Sequence, residues 1–250
     1  MKILYLETSS KNCSVAVSDN EKLLCLCEEV SENYKQSESL HTYVEWALEG
    51  AGISLKEIEA VSLGKGPGSY TGLRIGAASA KGFCYGLRVP LVAVNSLESM
   101  IEPFLGDNYE LIVPLIDARR MEVYTAVYDG KTGKELSATE AKILDEASFE
   151  EFKDKKVLFV GDGAKKAKDI LNLPDAAFKE DVYPSAQYLI RKTLEKIKHK
   201  EFEDMAYFEP FYLKDFHGVK KRKAKNKSSL FYFIEVLAGF STLILFRLFS

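Results

Sequence analysis

A chain of 250 residues, 46% hydrophobic and 28% charged, can hold a sizeable core in one large domain or two smaller ones, and it is too ordinary in composition to be fibrous or disordered. Its formal charge of −3 is uneven: residues 218–250 carry a net +6 and residues 1–217 a net −9. An acidic body argues against a stand-alone nucleic-acid binder, so any role on RNA draws its positive surface from elsewhere.

Residues 2–7 read as a strand, 9–12 as a turn, 13–18 as a second strand and, after Asp19-Asn20, residues 22–28 as a third. Leu40, Tyr43, Val44, Ala47, Leu48 and Ala51 then recur at helical spacing, and Gly50 and Gly52 close that helix. Ser54-Leu-Lys-Glu57 is a capping box ahead of a buried strand at 60–63.

The most informative stretch follows, Gly64-Lys-Gly-Pro-Gly-Ser-Tyr-Thr-Gly-Leu-Arg-Ile-Gly76. Its glycines make a tight turn, and Ser69 or Thr71 caps a helix over about 71–86 with Gly86 as a left-handed stop. A strand, a glycine turn and a helix N-terminus offer N–H groups to an anion, but neither the Walker pattern nor G-x-G-x-x-G is present, so a purely structural turn is the competing reading. Leu73, Ala77, Ala80, Cys84 and Leu87 form an apolar stripe, while Gly72, Gly76, Gly82 and Gly86 keep much of the rest small. A helix that is apolar or small nearly all round is expected to be covered on two sides, by its own sheet and by a second domain or another protein.

A strand at 89–94 and a helix at 96–102 lead into a second meander, with strands at 111–117 and 122–128. Set against the first, residues 14–19 match 124–129 in pattern, which suggests duplication at an offset of about 110 residues. Residues 157–160 are a strand entering a second glycine turn, Gly161-Asp-Gly163, and a helix over 164–171; Pro184 opens another with Ala186, Leu189, Ile190, Thr193, Leu194 and Ile197 on one face. An apolar, aromatic piece spans 208–213. The whole reads as α/β in two similar halves, 1–102 and 103–217, followed by a basic linker and hydrophobic tail, 218–250. The run 230–246, seventeen residues with Glu235 inside, is at the lower limit for crossing a bilayer; a docking helix or a non-functional extension is the alternative.

No N-terminal signal peptide is evident, and Cys13, Cys25, Cys27 and Cys84 lack metal-ligand spacing, so buried free thiols in a reducing cytoplasm are expected. Three histidines, His41, His199 and His217, are too scattered for a metal cluster. Glu7 and Asp117, each ending a strand before a turn, are the best carboxylate pair for a cleft holding metal-nucleotide or a hydroxyl; turn capping is their structural reading.

Residues 2–9 (Lys-Ile-Leu-Tyr-Leu-Glu-Thr-Ser), the segment Gly64–Gly76, and Ile116-Asp-Ala-Arg119 with Glu122-Val-Tyr124 resemble the TsaB (YeaZ) family, the dimerisation subunits of the bacterial complex making threonylcarbamoyladenosine in tRNA. Gly161-Asp-Gly-Ala164 and Tyr212-Leu-Lys214 also fit, so the resemblance covers about residues 1–217. It implies two βα domains of the actin/Hsp70/sugar-kinase (ASKHA) type. It further implies a non-catalytic partner of the metal-bearing transferase TsaD, with the ATPase TsaE as third member, tRNA met only through the complex, and ATP and Mg used by the partners rather than held firmly here. The family interface uses the helices at about 39–51 and 71–86, which here points to Leu40, Tyr43, Val44, Ala47, Arg74, Gly76, Ala77 and Ala80, with a homodimer as an alternative pairing. Cleft or nucleotide contacts would fall to Glu7, Thr8, Asp117, Gly161 and Gly163; no metal ligands are expected. The paired histidines of the catalytic relative are reduced to His41, Glu7 stands where the family usually has Asp, and the tail extends past the family's end. An ATP-dependent kinase of the same fold, built on Glu7 and Asp117, is the rival reading, and a peptidase comes last.

Overall fold

The computed structural model describes residues 1–31 and 36–214, which fall in one compact unit, Met1–Asp215. The basic linker and the hydrophobic run 230–246 lie outside the described residues. Among the described residues no helix is long and apolar enough to cross a membrane.

Two five-stranded sheets share one plan. In the first, β1 (Lys2–Glu7), β2 (Asn12–Asp19) and β3 (Lys22–Val30) form an antiparallel meander, and β4 (Ala60–Gly64) and β5 (Leu91–Val94) add in parallel beyond β1, giving the order β3-β2-β1-β4-β5. In the second, β6 (Leu111–Asp117), β7 (Glu122–Asp129) and β8 (Glu135–Ile143) repeat the meander, with β9 (Val157–Val160) and β10 (Ala176–Lys179) parallel beyond β6. The matching stretches 14–19 and 124–129 lie in β2 and β7, the same place in each plan. This is the two-part α/β architecture of the ASKHA type.

Strand β1 is central and buried on both faces, which is why its sequence is apolar at nearly every position rather than alternating. Leu4 and Leu6 point to the side covered by α1 (Gln36–Ala51) and α2 (Tyr70–Leu87). Ile3 and Tyr5 point to the other side, where Ala186, Leu189 and Ile190 cover them from the start of α5 (Ile190–Lys198) and the 3-10 turn before it. Ser62 and Thr193 bond at 2.6 Å across the same layer. On the second sheet, Leu97, Met100 and Ile101 of α3 (Ser96–Ile101) pack against Ile112, Ile116 and Ala126, and Ala164 and Ala167 of α4 (Ala164–Lys168) fill the opposite face. Thus α3 packs forward onto the second sheet and α5 returns to the first, so a division at 102/103 follows chain order while the packing crosses it.

Three elements differ from the sequence reading. Helix α2 continues through Gly86 to Leu87, and Arg88 takes the left-handed stop at φ 59°, its N–H bonded to Cys84 O. Pro90 follows and bars further helix, so the proline and not the glycine sets the end. Strands β8 and β10 have no counterpart in the reading. β8 is an edge strand with a mostly exposed, charged sequence, and β10 has only four residues.

Candidate functional site

Strand β1 delivers Glu7 into the protein with its carboxylate fully buried. Oε1 accepts from Ser9 N at 2.8 Å and Oε2 from Ser96 Oγ at 2.9 Å, while Ser96 Oγ in turn accepts from Gly66 N at 3.1 Å. Burial pushes the Glu7 carboxyl above its ordinary range, with these hydrogen bonds opposing in part. The glycine turn lies against this acid: a Cβ on Gly64 would overlap the Glu7 carboxylate. Thr8 Oγ1 donates to Gly72 O at 2.8 Å, and Cβ atoms on Gly72 and Gly76 would overlap Thr8 itself. Ser69 N donates to Ser9 O at 2.6 Å, and the Gly66-Pro67 peptide is cis. The small residues on this side of α2 therefore let the helix lie directly on the end of β1. Two amides that could have faced an anion, those of Gly66 and Ser69, are bonded within the fold.

The second half repeats the arrangement with different chemistry. Strand β6 ends in Asp117, whose Oδ1 accepts from Arg119 N at 2.6 Å and from Lys166 Nζ at 2.8 Å. Lys166 also donates to Arg120 O at 2.9 Å and Glu122 O at 2.6 Å, holding a turn in which Arg119 and Arg120 both have positive φ. Asp117 N donates to Asp162 Oδ1 at 2.8 Å, and burial, with the nearby Asp117 charge, raises the Asp162 carboxyl. A Cβ on Gly161 would overlap Leu115 O, and one on Gly163 would lie 2.9 Å from Val123 Cγ1, so this glycine turn wedges against β6 and β7. Glu7 and Asp117, read from sequence as a facing pair, are each engaged by their own half: the first by Ser9 and Ser96, the second by Arg119 and Lys166. Among the described residues no group of three or more His, Cys, Asp or Glu is placed to share a metal ion.

A strap closes over the glycine turn. Beyond α5, Glu203 N donates to Leu91 O at 2.9 Å, Phe208 enters the first core, and Phe211 N donates to Lys65 O at 2.8 Å. The Tyr212 ring lies 4.9 Å from that of Tyr70, whose ring also carries the Arg74 guanidinium at 5.5 Å. Lys214 then pairs with Glu122 and sits 5.6 Å from the Tyr124 ring, which ties the first half to the second. The aromatic piece 208–213 was visible in the sequence; its path was not.

The helix residues read as an interface divide sharply. Leu40, Tyr43, Val44, Ala47, Ala77 and Ala80 are buried in the first core, and Gly76 faces Thr8 and Leu63, whereas Arg74 is exposed. The outward side of α2 is Thr71, Arg74, Ala78, Gly82, Tyr85 and Gly86, with Tyr85 79% exposed and open space around Gly82 and Gly86. Helix α1 exposes His41, Glu45 and Trp46; His41 joins the two helices through Ser79 Oγ at 3.2 Å and the Phe83 ring at 5.7 Å, whereas the Trp46 ring lies 5.7 Å from that of Tyr43, whose hydroxyl donates to Glu29 of β3. The apolar stripe Leu73, Ala77, Ala80, Cys84 and Leu87 read from the sequence is the side that packs on the first core, so Ala77 and Ala80 are not outward-facing residues.

With this geometry in hand, comparison places the chain. The family profile "TsaD: tRNA N6-adenosine threonylcarbamoyltransferase" matches residues 28–217. The tRNA threonylcarbamoyladenosine biosynthesis protein TsaB of Bacillus subtilis (strain 168) is 31% identical over 167 residues, 64% of this chain and 71% of that protein. TsaB of Buchnera aphidicola subsp. Acyrthosiphon pisum is 30% identical over 208 residues, 79% of this chain and 90% of that protein. The structure of YeaZ from Pseudomonas aeruginosa superposes with a TM-score of 0.71 at 25% identity, covering 85% of this chain and 99% of that one. This chain belongs to the TsaD-type family and, within it, to the TsaB (YeaZ) proteins of tRNA threonylcarbamoyladenosine biosynthesis.

Proposed function

We propose that the chain is a non-catalytic partner subunit that docks onto a TsaD-like transferase and stabilises it for N6-threonylcarbamoylation of the tRNA adenosine beside the anticodon. The observation that carries this reading is the outward face of α2, where Ala78, Gly82 and Gly86 are small and open and Tyr85 is large, apolar and exposed. Small residues permit a partner helix to approach closely, and an exposed aromatic supplies an anchor. Glu7 and Asp117 support the non-catalytic part, since both carboxylates already serve turns of the fold. In this reading ATP and Mg are used by the transferase and by a TsaE-like ATPase, and tRNA is met only through the assembly. The chain works in the cytoplasm as two lobes, 1–102 and 103–217, with α3 and α5 exchanged between them. A homodimer is the alternative pairing, and for the run 230–246 membrane association stands beside a docking helix and a non-functional extension.

The test is co-purification of the full-length chain with the TsaD-like subunit of the same organism. Ala78→Arg and Gly82→Arg are expected to keep the melting temperature and lose the partner; co-purification of both at the wild-type level overturns the reading. Gly76→Val is the contrasting variant, because its side chain would strike Thr8 and unfold the chain itself.

A further inference from the structure

Helix α1 covers the first sheet unevenly. Leu40, Val44 and Ala47 sit in the first core, and one flank meets α2 through His41. The other flank meets β3: the Tyr43 hydroxyl donates to Glu29 Oε2 at 2.6 Å, and a Cβ on Gly50 would come within 2.6 Å of Cys25 Sγ. The helix therefore runs antiparallel to β3, and Trp46, three residues after Tyr43 and four before Gly50, stands on the same flank. Trp46 is the one tryptophan in the sequence, and it is 54% exposed although its ring lies 5.7 Å from that of Tyr43.

The strand beside it is the edge of its sheet. Among the described residues β3 pairs with β2 alone. Leu24 is the extra residue of a bulge, and from Cys25 to Val30 six residues run in unbroken register with no proline. The amides and carbonyls on the outer side of this stretch face no strand, which is the arrangement that accepts a further one. The charge beside it has one sign. Glu38, Glu45 and Glu49 are exposed on α1, which carries no Lys or Arg, and β3 runs out through Glu28 and Glu29. Glu28 accepts from Ser14 and Ser185, and Glu29 from Tyr43, so the acids of α1 are the ones turned to solvent.

We propose that Cys25–Val30 and Trp46 form a docking ledge for an extended, lysine- or arginine-rich segment of a partner protein, which adds to β3 as a sixth strand of the sheet. Main-chain hydrogen bonds along the edge hold the segment, and its alternate side chains face α1. A cation there lies over the Trp46 ring, with Glu49 one turn further along the helix. RNA phosphate is repelled by the same acids, and a second copy of this chain would set them against their like. The ledge uses none of the residues on the outward face of α2, so it and the role proposed above stand or fall separately.

The test is titration of the full-length chain with the peptide acetyl-Lys-Val-Lys-Val-Lys-Val-amide at low salt, read by the emission of Trp46. Binding should be saturable and should shift the emission to the blue as the ring loses water. A fluorescein-labelled copy of the peptide, followed by anisotropy, should bind Trp46→Ala about 10-fold more weakly, with circular dichroism showing the variant folded. The same peptide with every amide N-methylated keeps its charge but cannot complete a ladder, and it should not bind; nor should the analogue with glutamate in place of lysine. Equal binding of the methylated and unmethylated peptides, an emission unchanged at saturation, or wild-type affinity in folded Trp46→Ala overturns the proposal. If Trp46→Ala does not fold, the methylated comparison decides. An emission that shifts with protein concentration alone assigns the edge to a second copy and overturns the proposal as well.

Discussion

The Glu7 carboxylate occupies the space that a side chain on residue 64 would need. The two residues come from neighbouring parallel strands, β1 and β4, and the acid lies across the start of the glycine turn. Gly64→Ala should therefore lower stability by about 3 kcal/mol or more, since the clash is with a buried group fixed by hydrogen bonds. In a double-mutant cycle with Glu7→Ala the two losses should be clearly less than additive, because the second change removes what the first collides with. Urea denaturation of the four proteins checks this; strict additivity would remove the steric explanation.

The same acid makes stability depend on pH in a defined direction. Its ordinary value is near 4.5 and burial raises it in the folded chain. The folded state thus prefers the protonated form, and the favourable contribution is complete below the unfolded value and lost as pH rises through the folded one. Glu7→Gln, which keeps the shape without the charge, should gain stability relative to wild type as pH climbs above 4.5. Denaturation midpoints between acid and neutral pH measure the difference; a gap that narrows with rising pH would contradict it.

Lys166 is the second half's counterpart to this buried anchoring. It meets Asp117 Oδ1, Arg120 O and Glu122 O together. Lys166→Met should cost about 1–3 kcal/mol by leaving the two carbonyls without their donor. Asp117→Asn, at a carboxylate nearly half exposed, should cost less than about 1 kcal/mol. Thermal unfolding of the two variants ranks them, and the reverse order would mean that the carboxylate, not the lysine, organises the turn.

The two sides of α2 predict opposite effects of adding one methyl group. Gly82 is helical with open space around it, so Gly82→Ala should stabilise the isolated chain by about 0.5–1 kcal/mol. Gly72→Ala should destabilise it, because the methyl would meet the carbonyl of Thr8. Chemical denaturation of each protein gives the sign directly.

Much of this architecture can be read from residues. The strands of β1, β2, β4 and β9 show themselves as apolar runs between turn residues, and the repeat of 14–19 in 124–129 foreshadows the two equal sheets. What pattern could not supply was the identity of the covering element. Periodicity says that Leu97 or Leu189 is buried, but not that the first packs on the second sheet and the second on the first. Edge strand β8 escaped because Glu135, Glu140 and Lys142 need no core to face. At the site, the Gly72 and Gly76 spacing signalled a close approach correctly, yet a close approach to Thr8 of the same chain and one to another protein have identical signatures in sequence.

The strap at 203–214 has a consequence for association. Through Phe208, Phe211 and Tyr212 it grips the first half, and through Lys214 it grips Glu122 of the second. One segment thereby touches both halves, and α2 is held at its N-terminal end through Tyr70, whose ring meets Tyr212 of that segment and carries the Arg74 guanidinium. A partner that meets α2 finds a stiff surface with little conformational freedom left to surrender. Less of the contact energy is spent on ordering, so a modest patch of small side chains and one aromatic can hold a partner more tightly than its area alone would suggest.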